Sequence, residues 1–131
     1  MASIFTRIIN REIPGYIVAE NEDAIAFLDI NPLNEGHTLV VPKKEVDKLF
    51  DLDEDTYINL HTFTKKVAKA VEAAVPCKRI GVAVIGLEVP HVHIHLIPLQ
   101  NISDIDFSKP KLSLSQEELT ETAEKIKKQL K

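Results

Sequence analysis

Between His91 and Leu99 the chain reads His-Val-His-Ile-His-Leu-Ile-Pro-Leu, with histidine alternating with aliphatic residues. A period of two is a strand signal, because successive side chains of a strand point to opposite faces. Such a strand sends His91, His93 and His95 to one face and Val92, Ile94 and Leu96 to the other. The aliphatic half fixes the register, since a slip of one residue would bury three imidazoles and expose the core side. The product is a rigid row of imidazoles, with neighbours about 6.6–7 Å apart by strand rise.

The rest of the chain supplies partners for that strand. Ser3 to Asn10 predicts a short helix, capped by Ser3 and striped with Ile4, Phe5, Ile8 and Ile9, which Pro14-Gly15 closes as a turn. Tyr16–Glu20 and Ala24–Ile30 are strand-like and joined through Asn21-Glu22-Asp23, and His37–Val41 is a third strand ending at Pro42. Asp53 caps a long helix whose apolar face runs through Tyr57, Leu60, Thr64, Val67, Ala68, Val71 and Ala74. Arg79–Ile85 is a fourth strand, broken by Gly86, and His91–Leu99 is the fifth. Asn101 to Leu112 is an irregular crossing segment. A capping box, Ser115-Gln116-Glu117-Glu118, then starts a C-terminal helix over about 115–130, with glutamates early and Lys125, Lys127, Lys128 and Lys131 late, matching the helix dipole. The order α-β-β-β-α-β-β-α predicts one α+β domain over 1–131, a five-stranded antiparallel sheet with helices packed on one face.

Composition narrows the function. The chain has 131 residues, 44% apolar and 27% charged, which excludes wholesale disorder or a low-complexity fibre. Sixteen basic against twenty acidic residues give a net charge of −4, which argues against nucleic-acid binding through a basic surface. Cys77 is the single cysteine, so neither an internal disulfide nor a multi-cysteine zinc knuckle can form. The first fifteen residues carry no apolar signal core, and no window reaches 18 uncharged apolar residues. The expectation is a soluble cytoplasmic protein with no membrane partner.

Three imidazoles in strict alternation admit three readings. They are structural residues of a buried strand; or alternate histidines chelate a metal, with His37, His61 or Cys77 completing the set; or one imidazole is a nucleophile that its neighbours orient. His61 on its helix is expected to face solvent or pack there, with no role in the site, and Cys77 after Pro76 is expected to be a plain buried thiol.

His91-Val92-His93-Ile94-His95-Leu96-Ile97 resembles the signature of the histidine triad (HIT) family. The likeness extends over Ser3–Pro14, Ala26-Phe-Leu-Asp-Ile-Asn-Pro32 and Gly36-His-Thr-Leu-Val-Val-Pro-Lys-Lys44, with Gly86 five residues before the triad. The resemblance implies an α+β fold that forms a homodimer with one continuous sheet. It also implies a Hint-like hydrolase or transferase acting on a purine nucleotide or nucleotide conjugate, with no cofactor. By the same resemblance His93 is the nucleophile on the α-phosphorus, His95 lies against the phosphate oxygens, and His91 and His37 support the row. Asp29 accepts from the ribose hydroxyls, Ile4, Phe5, Ile8, Phe27 and Ile30 form an apolar slot for the base, and Gly86 lets backbone approach the phosphate. Core packing competes with the slot for these five apolar residues, most of all for Ile8.

The chain departs from the family pattern in three places. Where many relatives carry Gln and then Ser or Thr after the glycine, this chain has Leu87 and Glu88. Leu87 has no side-chain donor. Glu88 would repel a phosphate, so it either points away or meets a cationic leaving group such as an amine. The phosphate-side Asn-x-Gly loop is replaced by Arg79-Ile-Gly-Val-Ala-Val-Ile85. The zinc-binding relatives carry Cys-x-x-Cys in the first helix and a histidine after Pro-Lys-Lys, where this chain has Ser3, Thr6 and Glu45, so no metal is expected. A nucleotide hydrolase working through a nucleotidyl-histidine leads; a nucleotide-binding module with little catalysis and a zinc hydrolase are the alternatives.

Overall fold

The computed structural model describes residues 2–130, so Lys131 of the late-lysine group lies outside them. Along the chain run α1 (Ile4–Ile9), β1 (Ile17–Glu20), β2 (Ala24–Leu28), β3 (Thr38–Pro42), α2 (Glu54–Ala74), β4 (Arg79–Ala83), β5 (Ile94–Leu99) and α3 (Gln116–Gln129). Single 3-10 turns stand at Leu49–Asp51 and Ile102–Ile105. The five strands form one antiparallel sheet in the order β1-β2-β3-β5-β4. This is the expected α+β architecture.

Local chemistry accounts for the boundaries. The β1–β2 hairpin turns on Asn21, whose Oδ1 accepts from the N–H groups of Asp23 and Ala24, both at 2.8 Å. Asp53 caps α2 by accepting from Thr56 N–H, and Ser115 with Glu118 forms the reciprocal box at α3. The buried stripe of α2 holds Leu60, Phe63, Thr64, Val67, Ala70 and Val71, so Phe63 and Ala70 join the predicted face.

Alternation along the strands divides the interior into two clusters. Ala24, Ala26 and Leu28 of β2, Val40 of β3 and Ile94 and Leu96 of β5 pack with Val92 under α2 and α3. Ile25, Phe27, Leu39 and Val41 face the other way, against Phe5 and Ile8 of α1. The two long helices therefore share one face, and the six-residue α1 closes part of the other. No helix among the described residues is long and apolar enough to cross a membrane.

Several boundaries differ from the sequence expectation, among them the end of β2, at Leu28 instead of Ile30. α1 stops at Ile9 because Arg11 turns left-handed (φ +62°) and its guanidinium binds Ile9 O and Glu20; Pro14-Gly15 comes after the break. β4 ends at Ala83, two residues early, and leaves Val84 and Ile85 exposed. β5 begins at Ile94 instead of His91. The β3–β5 register pairs Val40 with Ile94, which carries Pro42 opposite Val92, and proline has no N–H to continue the ladder. His91 and His93 therefore lie on an extended approach, held by His91 N–H to Val89 O and Val92 N–H to Val46 O.

Candidate active site: a histidine row between two phenylalanines

The approach keeps the alternation although the ladder has ended. Val92 is buried in the helix-side cluster, and His91, His93 and His95 are buried on the other side of the sheet. The His93 and His95 rings stand 4.9 Å apart, centroid to centroid, closer than the strand repeat because they tilt toward each other. His37, just ahead of β3, meets His95 with centroids 5.2 Å apart. Two phenylalanines bracket this group. The Phe5 ring is edge-on to His91 (5.8 Å) and His93 (4.8 Å), and the Phe107 ring is edge-on to His95 (4.8 Å).

Hydrogen-bond partners assign the proton on each ring, because a carbonyl only accepts and a backbone N–H only donates. His93 Nδ1 lies 2.7 Å from His91 O, so it carries the proton and Nε2 holds the lone pair. His91 Nε2 donates to Pro42 O at 2.8 Å, so its Nδ1 accepts from the Ser3 hydroxyl at 2.6 Å. His37 Nδ1 accepts from Leu33 N–H at 3.0 Å, so its Nε2 donates to His95 Nδ1 at 2.9 Å. His95 is then left with its proton on Nε2. The row presents a bare nitrogen on His93 beside an N–H donor on His95.

The electrostatics keep His37, His91 and His95 neutral. Burial, reinforced by repulsion from His95 in its protonated form, from Lys111 and from His93 in its protonated form, holds His37 down at about 3. Burial and then the charge of His93 hold His95 at about 4, and burial also lowers His91. Asp29 follows β2; its Oδ1 accepts from Asn31 N–H at 2.9 Å, and Oδ2 lies 3.7 Å from His37 Nε2. Burial raises its carboxyl, against the Asn31 hydrogen bond and the charges of His93 and Lys111, with Glu88 pushing it further up.

Asp29, His37 and His95 bring three donor atoms within 4.8 Å of one another. The donor set does not suit a metal. Leu33 N–H already occupies His37 Nδ1, so ligation through Nε2 would strip the ring of its only proton and demand an imidazolate. Of the other ligands considered, His61 is exposed on α2 with Nδ1 on Tyr57 O, and Cys77 is a half-buried thiol pushed up by burial. The three residues at the zinc-ligand positions of the resembled relatives do gather, however. Glu45 Oε1 accepts from Ser3 N–H (2.8 Å) and the Thr6 hydroxyl (2.5 Å), and Ser3 reaches His91. A hydrogen-bonded cluster occupies that corner.

The proposed base slot divides. Phe5, Ile8 and Phe27 are buried in the second core cluster, with Phe5 also touching the histidines, whereas Ile4 (49%) and Ile30 (59%) are open to solvent. Gly86 has φ +72° and a Cβ there would meet nothing within 4 Å, so its backbone conformation is what calls for glycine. Leu87 is 89% exposed, and Glu88 is exposed on the same loop. Sequence reasoning missed Phe107 and Lys111, which sit in the irregular segment; the only signal was a lone aromatic in a polar stretch.

The model for the HIT domain matches residues 10–102. An uncharacterized HIT-like protein of Methanocaldococcus jannaschii is 46% identical over 105 residues, covering 72% of this chain and 77% of its own. The adenosine 5'-monophosphoramidase hnt1 of Schizosaccharomyces pombe is 33% identical over 134 residues, spanning both chains in full. A crystal structure of a HIT-like protein from Bartonella henselae superposes with a TM-score of 0.85 at 36% identity, covering 98% of this chain and 96% of that one. Matching motif, matching fold and matching relatives agree, and the chain belongs to the HIT-domain family.

Proposed function

We propose that the chain is a nucleotide hydrolase of the phosphoramidase type, cleaving at the α-phosphate of a purine nucleoside phosphoramidate through a covalent nucleotidyl-histidine. The observation that carries this reading is the bond from His93 Nδ1–H to His91 O, which leaves the Nε2 lone pair free. In the proposed step His93 Nε2 attacks the α-phosphorus in line, forming the P–N bond as the bond to the leaving amine breaks. The amine departs with the bonding pair and takes a proton from water as it leaves, and the hydroxide is neutralised by the proton released when the intermediate is hydrolysed. Positive charge then develops on the His93 ring, and the His91 carbonyl stabilises it through the same hydrogen bond. His95 Nε2–H donates to the phosphoryl oxygens, held in that tautomer by His37. Water hydrolyses the intermediate and frees His93. Asp29 Oδ2 accepts from the ribose, and exposed Ile4 and Ile30 flank the base. Glu88, on the loop near Asp29, suits a cationic amine leaving group. The activity named for the fission-yeast relative supports this substrate class.

The test is to incubate the protein with radiolabelled adenosine 5'-monophosphoramidate, quench and map the label. Acid-labile nucleotide on His93, absent from His93→Ala together with turnover, is the expected result; turnover without label on His93 removes the covalent step. Leu87 favours one second reading, a nucleotide-binding module with little catalysis, since its side chain gives a phosphate no donor. Calorimetric AMP binding with no turnover would select it. A cytoplasmic location and a homodimer joined through the sheet edge belong to the same proposal.

A further inference from the structure

Phe107 is half-buried although its neighbours Asp106 and Ser108 are exposed, so its ring turns inward from a surface segment. A tight turn holds it there. Asp106 Oδ1 accepts from Ser108 N–H (2.9 Å) and its hydroxyl (2.6 Å), and Lys109 N–H returns to Asp106 O at 3.2 Å. Lys111 Nζ donates to Phe107 O at 2.6 Å, and Leu112 N–H ties the strap to Pro32 O at 2.8 Å, in the loop that follows Asp29. The ring meets His95 edge-on at 4.8 Å and His37 at 6.3 Å. It is the counterpart, on the His95 side, of Phe5 on the His93 side.

We propose that Phe107 is a positioning residue, whose ring shields His95 from water and so holds that imidazole neutral, with Nδ1 bound to His37 and Nε2–H turned to the substrate. Its value for turnover rests on the phosphoramidase reading; its effect on His95 does not. A protonated His95 would carry hydrogens on both nitrogens, and its Nδ1–H would face the His37 Nε2–H, breaking the 2.9 Å bond. Burial is the main reason that His95 stays near 4, and the Phe107 ring is part of that burial. The other groups around His95 are His93 beside it, His37 ahead of β3 with Asp29 behind it, Lys111 on the strap and Glu88 beyond Asp29. Phe107 itself is uncharged, so its removal acts on His95 chiefly through water access.

The experiment is an NMR titration of the His95 ring in the wild type, Phe107→Leu and Phe107→Ala, with kcat and KM for adenosine 5'-monophosphoramidate at pH 5 and pH 7. In Phe107→Ala the His95 midpoint should rise by about one unit or more toward 6.5. His91, against Phe5, should not move. At pH 5 kcat should fall about two- to tenfold with KM nearly constant, while at pH 7 it changes little, and Phe107→Leu should recover most of the midpoint shift and of the loss at pH 5. If Phe107→Ala fails to fold, Phe107→Leu and Phe107→Val decide by the same ordering of midpoints. An unshifted His95 midpoint in a folded variant, or a shifted one with kcat at pH 5 intact, overturns the proposal. A wild type without turnover removes the phosphoramidase reading instead and leaves the midpoint to decide Phe107's effect on His95.

Discussion

His37, His91 and His93 each have one nitrogen committed to a backbone partner that cannot change role, and His95 follows through His37, which makes the row a fixed device. Leu33 N–H, Pro42 O and His91 O are backbone groups, so the tautomers of His37, His91 and His93 follow from the fold. The same neutrality has a consequence for stability. Unfolded histidines take up a proton near 6.5, whereas folded His37 and His95 do so near 3 and 4. Between those values the unfolded chain binds more protons, so the contribution is complete above pH 6.5 and is lost as pH falls toward 4. Urea unfolding at pH 5 should therefore read roughly 2 kcal/mol per histidine below the value at pH 7. His37→Asn should remove about half of that pH dependence; a wild-type stability flat over this range would contradict the assigned protonation states. At this scale the sequence was legible for the row itself, because a period of two survives even where the ladder ends. The relay through His37 was not legible in detail, since it depends on which backbone N–H reaches Nδ1.

Among the elements, α1 has only six residues, too few to hold itself in water. Its position comes from Phe5 and Ile8 in the second core cluster and from Ser3, which caps the helix and also donates to His91 Nδ1. Ser3 thus links the first element to the row eighty-eight residues away. Ser3→Ala should cost about 2 kcal/mol in thermal or denaturant unfolding, a lost cap plus a buried imidazole nitrogen without a donor. kcat should fall as well, because the His91 carbonyl that orients His93 is set by the same ring. Ser3→Thr, which keeps the hydroxyl, should restore both; a Ser3→Ala protein with unchanged stability would show that the His91 contact adds nothing. The cap was readable from Ser3 and the following apolar stripe. Glu45 was not, because its partners Ser3 and Thr6 lie about forty residues away and only the folded chain brings them together. β5 shows a similar limit: the histidine pattern announced a strand from His91, but the start is set by Pro42 on the neighbouring strand.

At the scale of the whole molecule, the two edges of the sheet differ in what covers them. An edge strand offers unpaired N–H and C=O groups, and proteins either blunt such edges or pair them. The β1 edge is blunted, with an irregular register between Ile17 and Ala19 and with Glu20 bonded to Arg11 and Lys43, both at 2.7 Å. Among the described residues the β4 edge has no register break and no ion pair, and its one charge is Arg79 at its start. Val82 there is 60% exposed, Val84 and Ile85 follow it into solvent, and Ala83 cannot obstruct an approaching strand. A second copy presenting the same strand antiparallel about a twofold axis would extend the two five-stranded sheets into one and cover those side chains. Light scattering should then give twice the 14.7 kDa of the chain, and Val82→Lys, which sets like charges against each other across the axis, should return it to 14.7 kDa. His93 should keep its reactivity in that variant when tested with the labelled phosphoramidate, because the row, Phe5 and Phe107 all belong to one chain. A wild-type protein that runs as a monomer at every concentration would leave the β4 edge without this partner. A Val82→Lys monomer that loses the label would instead mean that the second copy completes the site.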